Sequence, residues 1–383
     1  MKSLKGSINV RNVDLNGMTK NYNKPPFKPL TMKEVNDKKG TNGYNVVSTF
    51  TGAGGSCLGL KLAGFNILYA VEFIEEAQKT YALNHQEVYL DKRDIREIKG
   101  EDILRQCNLN KGEVDLLEGS PPCSGFSNAG KGSAGWNCIK KYSDTEQRVD
   151  DLFFEFTRLA NELQPKMILC ENVPALATGK NRGYLKLIIQ EFQKAGYEVQ
   201  LKILEAVRLN VPQIRKRLIF IGKRKDLDIN IEFPAPLNYT YTVEDAIPNY
   251  RENKKPNSLY RDVQKGTDLY LTLRIAQKYG YKSLDKSYLK LNRKPRGFTK
   301  SVVYADVPSP TLMQTANFFY GYAPRYLSIF EAKRIQTFAD DFQLTGNYFK
   351  QFERIGRSVP PRMYEAVGLK IKESLDDYYG EAR

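Results

Sequence analysis

Cys123 sits in the stretch GSPPCSGFS (119–127), after two prolines that stiffen the approach and before a glycine that lets the chain turn away. A thiol held rigidly there could act as a nucleophile, but only as its thiolate. The chain has one histidine, His85, so the activating charge must come from nearby arginines or a helix N-terminus. A buried structural cysteine is the commoner fate of the residue, although Pro, Ser and Gly neighbours are not core residues. Glu171 and Asn172 close an apolar run in CENVPAL (170–176), where an acid is costly to bury without a partner or a task. In VPQIRKRLIF (211–220), Gln213, Arg215 and Arg217 stand at alternate positions, so on a strand all three face one way. A solvated strand face is the alternative, and the flanking apolar runs count against it.

A second group of residues suits a nucleotide-like ligand. FTGAGGS (50–56) is a glycine-rich turn between a strand and a helix, where the backbone can approach a ligand and the helix N-terminus favours an anion. It is neither GxGxxG nor a phosphate-binding loop with GK[ST], so an ordinary tight turn competes evenly with it. Glu72, closing ILYAVEF, could accept both hydroxyls of a ribose, and Asp94, after the next strand, could take an adenine amino group. Either acid could instead be a helix N-cap. In IGRSVPP (355–361) Gly356 frees the backbone and Pro360 and Pro361 fix it, around a large cation at Arg357. The five cysteines form no CxxC pair, which with the single histidine argues against a metal site or a disulfide framework.

The elements that must position these residues alternate. NVVSTF, ILYAVEF, EVYL, VDLLEGSP, MILCENV and RLIFIGKR read as strands, with helical patterns such as DLFFEFTRLANELQ and YLKLIIQEFQKAG between them. The fold class is therefore α/β: a Rossmann-like, mostly parallel sheet flanked by helices. In such sheets ligands collect at the carboxyl ends of the strands, where Glu72, Asp94, Cys123 and Glu171 lie. Residues 1–42 read as a basic, loosely attached extension and 43–222 as the catalytic and cofactor-binding domain. Residues 223–322 read as a second, smaller domain, and 323–383 as helices packing back on the first.

The chain carries a net charge of +15 over 383 residues. Residues 251–300 hold 14 Lys and Arg against 4 Asp and Glu and interleave Tyr260, Tyr270, Tyr279, Tyr281 and Tyr288 with these cations. Residues 1–40 add a further excess of 6, and the remainder is nearly neutral. A basic segment mixed with flat aromatic rings suits nucleic acid better than a merely solvated surface. No apolar run approaches the ~20 residues of a membrane helix. The N-terminus lacks the apolar core of a signal peptide, so a cytoplasmic location is expected.

In order along residues 45–368, FTGAGG, the acids after the second and third strands, PPCSGFS, ENV, QIRKR, VPSPTL (307–312) and IGRSVPP closely resemble the DNA (cytosine-5) methyltransferase family of bacteria and phages. The resemblance implies the S-adenosylmethionine-dependent methyltransferase fold, a target-recognition region in 223–322, double-stranded DNA as partner and a place in DNA modification, with or without a restriction enzyme beside it; a monomer is expected. It also implies that Cys123 adds to C6 of a flipped-out cytosine, Glu171 hydrogen-bonds at N3 and Arg217 holds the O2 edge. Arg215 would lie near the thiolate or a phosphate. The cofactor would lie among Phe50, Thr51, Gly52, Ala53, Gly54, Gly55, Glu72, Phe73, Asp94, Ile95, Leu152, Arg357, Ser358 and Val359. Phe50 would stack on adenine, Glu72 hold the ribose, Asp94 and Ile95 touch the adenine rim, and Leu152 line the pocket.

Two positions depart from the family pattern. Ser124 stands where glutamine is frequent, and Arg357 stands where the family usually has asparagine. An arginine beside a sulfonium is unfavourable unless an anion intervenes. Three accounts compete: Arg357 points outward to a phosphate or an acidic side chain; it damages activity and leaves a DNA-binding relic; or it reads a carboxylate on carboxy-S-adenosylmethionine, making the chain a carboxymethyltransferase. Transfer to RNA cytosine keeps the chemistry and changes the partner.

Overall fold

The computed structural model describes residues 24–122, 139–142, 145–148, 151–179, 182–295 and 300–381. Its strands are β1 (Asn45–Thr49), β2 (Asn66–Val71), β3 (Tyr89–Asp91), β4 (Leu116–Gly119), β5 (Ile139–Tyr142), β6 (Thr145–Arg148), β7 (Met167–Asn172), β8 (Tyr197–Glu205), β9 (Gln213–Ile214), β10 (Lys216–Arg224), β11 (Ser301–Val303), β12 (Ser309–Pro310) and β13 (Phe318–Tyr320). Helices α1 (Met32–Lys38), α2 (Gly55–Leu62), α3 (Glu75–Asn84), α4 (Gly100–Cys107), α5 (Leu152–Leu163) and α6 (Arg182–Lys194) accompany the first half. Helices α7 (Val243–Ala246), α8 (Asp268–Tyr279), α9 (Leu284–Lys290), α10 (Ile329–Ile335), α11 (Tyr348–Arg357) and α12 (Pro361–Glu381) follow.

Seven strands form one sheet in the order β3-β2-β1-β4-β7-β10-β8. Neighbours from β3 to β7 pair in parallel, and β10 runs antiparallel to both β7 and β8. The central strands are apolar on both faces because each face is covered by helices. On one face Val47, Leu117, Ile168 and Cys170 meet α5 and α6 through Phe153, Phe156, Ile188 and Phe192. On the other, Val46, Leu116, Leu169 and Ile219 meet Cys57 and Leu60 of α2 and Met363, Tyr364 and Val367 of α12. β8 was not read from the sequence; its alternation of exposed and half-buried residues is that of an edge strand with one solvated face.

Residues 24–39 lie against both halves of the molecule. Leu30 and Val35 join Leu58, Phe338 and Phe342 in one apolar cluster. Lys24 Nζ lies 2.6 Å from Asp245 Oδ2, and Phe27 meets the Tyr241 ring edge-on. This part of the extension is therefore packed in place, contrary to the reading of a loose arm. Residues 243–327 form a smaller body whose core, with Val243, Tyr250, Val303, Phe318 and Leu327, is shared by Ile335 of α10 and by Phe352 and Ile355 of α11. Of the C-terminal helices, α12 is the one that returns to α2.

Candidate active site

The turn after β1 is shaped before any side chain acts. Phe50 has φ 55°, a left-handed conformation that is unusual for a bulky residue, followed by Gly52 at 57° and Gly54 at 90°. A Cβ on Gly54 would lie 2.2 Å from Nε2 of His85, and one on Gly55 would lie 2.5 Å from the Val359 carbonyl. Only glycine fits between the buried imidazole below and the C-terminal turn beside it. Glu72 fixes the same loop: its Oε2 accepts from Gly52 N and its Oε1 from Ile74 N, both at 2.7 Å. Burial pushes the Glu72 carboxyl up, partly offset by those two N–H groups and by the charges of Arg354 and Arg357. Each carboxylate oxygen keeps a further lone pair for a hydroxyl. The Thr51 hydroxyl is buried without a partner. This orphaned hydroxyl, the strained turn and an acid beside them fit a nucleoside-bearing cofactor.

Ile95 and Leu152 are buried, and Phe73 and Asp94 half-buried. Asp94 is the cap of a short 3-10 turn: its carboxylate accepts from Arg96 N at 3.1 Å and from Arg96 Nη1 at 2.9 Å.

At the neighbouring strand ends, Glu171 on β7 forms an ion pair with Nε of Arg217 on β10, both side chains largely buried. The antiparallel register sets Ile219 opposite Glu171, so Arg217, two residues away, shares its face. Asn172 accepts from Val173 N at 2.8 Å and donates to the Pro121 carbonyl at 3.1 Å, tying the end of β7 to the segment that leads toward Cys123. Cys123 itself lies outside the described residues.

Arg215 and Gln213 build the C-terminal turn. Arg215, 2% exposed, donates to the carbonyls of Leu312 at 2.9 Å, Gly356 at 3.3 Å and Ser358 at 3.0 Å. These partners are main-chain carbonyls, whereas the sequence reading placed this guanidinium near a thiolate or phosphate. Burial, and after it the like charge of Arg217, lowers its proton affinity well below the ordinary arginine range. Gln213 donates to Gln336 Oε1 at 2.6 Å and accepts from Leu312 N at 3.0 Å, and Gln336 in turn donates to the Ser358 carbonyl at 2.5 Å. Gly356 is obligatory because a Cβ there would lie 2.1 Å from the Met313 carbonyl.

Arg357 ends α11, and its Nε donates to Glu353 Oε1 one turn back at 2.8 Å. The buried Arg354 places Nη2 3.1 Å from that same oxygen but outside hydrogen-bonding geometry. Sequence reasoning had singled out Arg357 alone. The partner acid Glu353 and the second cation Arg354 stand in the same ERIGR stretch at helical spacing, a signal that was available. Gln336, the residue that caps the C-terminus of α10, offered none.

Among the described residues no cluster of three or more His, Cys, Asp or Glu could hold a metal ion, and no helix is long and apolar enough to cross a membrane. A parallel sheet with one antiparallel strand, carrying a glycine-rich turn and an acid at the next strand end, has the S-adenosylmethionine-dependent methyltransferase fold. Within it, the chain belongs to the C-5 cytosine-specific DNA methylase family, which it matches over residues 44–373. It is 31% identical to the type II methyltransferase M.FnuDI of Fusobacterium nucleatum, over 87% of this chain and 95% of that one. It is 30% identical to M1.HphI of Haemophilus parahaemolyticus, over 85% and 86%. A prophage-encoded DNA modification methyltransferase of E. coli shares the fold with a TM-score of 0.66 at 24% identity, over 87% of this chain and 99% of that one. Spodoptera frugiperda DNMT2 does so at 0.58 and 16%, over 86% and 99%.

Proposed function

We propose that the chain methylates C5 of cytosine in double-stranded DNA with the target base flipped out of the helix, at a cost of a few kcal/mol. The observation that carries this reading is the Glu171–Arg217 pair at adjacent strand ends, with Asn172 holding the segment toward Cys123. C5 is a poor nucleophile until C6 is attacked. The Cys123 thiolate adds to C6, Glu171 hydrogen-bonds at N3 and offsets the charge developing on the ring, and Arg217 holds both Glu171 and the O2 edge. S-adenosylmethionine, when bound, supplies an electrophilic methyl group. Phe50, Glu72, Asp94 and Ile95 would hold its nucleoside, the 51–55 loop, Phe73 and Leu152 would enclose it, and the 357–359 turn would lie beside its reacting end. Loss of the C5 proton releases Cys123.

A second reading is carboxymethyl transfer from carboxy-S-adenosylmethionine, with Arg357 binding the additional carboxylate. It is favoured by the two cations, Arg354 and Arg357, whose charges act on Glu72. The Arg357–Glu353 bond favours plain methyl transfer, since it already gives the guanidinium an anion. The test is to incubate DNA with each cofactor and weigh the product nucleosides, using the wild type, Arg357→Asn and Cys123→Ser. Methylcytosine alone, made equally by Arg357→Asn, would sink the carboxymethyl reading. No modified cytosine and no covalent complex on 5-fluorocytosine DNA would leave a DNA-binding relic, and modification of RNA alone would change the partner.

A further inference from the structure

Nothing in the proposed chemistry uses Glu118. It stands in the middle of the sheet on β4, opposite Ser48 of β1 and Leu169 of β7, and is fully buried. Alternation points it to the face covered by α2 and α12, and Glu171, two residues beyond Leu169, points to that same face. The groups around its carboxyl come from every element packed there. Ser48 on β1 donates to Oε2 at 2.5 Å. Ser56 and Cys57 face it from α2, Tyr81 from α3, Tyr364 from α12, and Glu171 from β7. The ionic member of this set is a second carboxylate.

Oε1 of Glu118 has no hydrogen-bond partner, nor has the hydroxyl of Ser120 or that of Tyr364. Yet Tyr364 is close enough to interact with Ser120, Glu118 and Glu171 alike. An ionised carboxylate with one bare oxygen in a dry interior is strongly disfavoured. A proton on Oε1 makes that oxygen a donor to the Tyr364 hydroxyl, which can then donate to Ser120, and all three orphaned groups are satisfied together.

We propose that Glu118 and Glu171 share a single proton in the resting enzyme, with Glu118 its holding site and the Tyr364 hydroxyl its route to Glu171. The inference rests on reading Glu171 as the group that hydrogen-bonds at N3. When cytosine arrives, the Tyr364 hydroxyl turns from Ser120 to Glu171, the O–H bond at Glu118 Oε1 breaks, Tyr364 accepts that proton and passes its own to Glu171, and the negative charge moves from Glu171 to Glu118. Glu118 touches no substrate; it is a positioning residue for the acid. Burial, offset in part by the Ser48 and Ser56 hydroxyls and helped by the charge of Glu171, carries the Glu118 carboxyl up to about 7.

The test joins infrared spectroscopy to pH–rate profiles. The wild type at neutral pH should show a buried carboxylic-acid C=O stretch that is absent in Glu118→Gln. The alkaline limb of kcat/KM should move down by about one pH unit in Glu118→Gln, a loss of about tenfold per unit above it, because the holding site for the proton is gone. Ser48→Ala keeps both carboxyls but removes the donor to the charged form, so its limb should move up. Glu118→Gln with the wild-type profile and the C=O band intact overturns the proposal. Should Glu118→Gln not fold, an unmoved limb in Ser48→Ala overturns it equally. Glu171→Gln separates the two ideas: wild-type turnover there would defeat the reading of Glu171, whereas loss of turnover with an unshifted Glu118→Gln profile would defeat the sharing alone.

Discussion

Replacing Arg215 by methionine separates a group that acts on substrate from one that builds the site. Methionine keeps most of the volume and removes every donor. Three carbonyls now receive N–H groups from Arg215: Leu312 at 2.9 Å, Gly356 at 3.3 Å and Ser358 at 3.0 Å. Ser358 would keep its bond from Gln336, so two buried carbonyls would be orphaned. Each costs about 1–3 kcal/mol, and relief of the burial penalty on the guanidinium offsets part of that. The net loss should be about 2–4 kcal/mol, the long bonds to Gly356 holding it toward the low end.

The loss would fall on one place. Gly356 and Ser358 end α11, where carbonyls lack partners within the helix, and Val359 of the same turn abuts Gly55 at the start of the cofactor loop. Arg215→Met should therefore unfold at lower urea by circular dichroism and bind S-adenosylmethionine at least tenfold more weakly by calorimetry. Lysine, with one ammonium in place of a fork, should recover part of both. If Arg215→Met were as stable as the wild type and bound cofactor equally well, but lost turnover or DNA affinity, the clamp would be wrong and a direct role on substrate right.

Other perturbations follow from neighbouring geometry. Gly55→Ala places its Cβ 2.5 Å from the Val359 carbonyl and should abolish measurable cofactor binding while unfolding stays cooperative. Arg325 and Glu331 are both fully buried and bonded at 2.7 Å, so Glu331→Gln should cost about 3–5 kcal/mol in urea unfolding, and a paired Arg325→Met, Glu331→Leu replacement distinctly less. Burial pushes the Glu87 carboxyl up, but the hydrogen bond and charge of Lys61, with Lys39, more than offset this and bring it to about 2. A depressed carboxyl gives stability that is complete above the unfolded value of 4.5 and is lost as pH falls toward 2. Thermal melts of Glu87→Gln should lack that acid-side decline and be lower at neutral pH, because Lys61 would be buried without its anion.

The strand ends were legible because hydrophobic runs that stop at Glu72, Glu171 or the double proline before Cys123 are local patterns. The Gln213, Arg215, Arg217 alternation was legible too, but not its division of labour. Arg217 turns to Glu171 on the neighbouring strand, whereas Arg215 reaches carbonyls about 100 and 140 residues away in sequence. No local pattern encodes partners so distant. Glu118 is the converse case. An acid inside VDLLEGSP carries the same signal that drew attention to Glu171, and it went unread because it stood one step inside the strand. The packed segment 24–39 was misjudged because proline and lysine mark a loop without saying what Leu30 and Val35 lie against.

Arg357 stands where the family resemblance leads to an expectation of asparagine, and its surroundings bear on what a cation there would cost. A lone guanidinium beside a sulfonium would repel it, at ~4 kcal/mol for 4 Å in a medium of intermediate polarity. Here Glu353 stands one helical turn back and bonds Nε, and Glu72 lies within reach of the same charge. The discriminating perturbation is therefore Glu353→Gln rather than Arg357 alone. If Arg357 is merely neutralised, losing Glu353 exposes the sulfonium to an uncompensated cation, and S-adenosylmethionine should bind about tenfold more weakly. If Arg357 reads a carboxylate on the cofactor, the same change should strengthen carboxy-S-adenosylmethionine binding relative to S-adenosylmethionine. Calorimetry with both cofactors decides it, and equal affinities before and after the change would remove Arg357 from the cofactor site altogether.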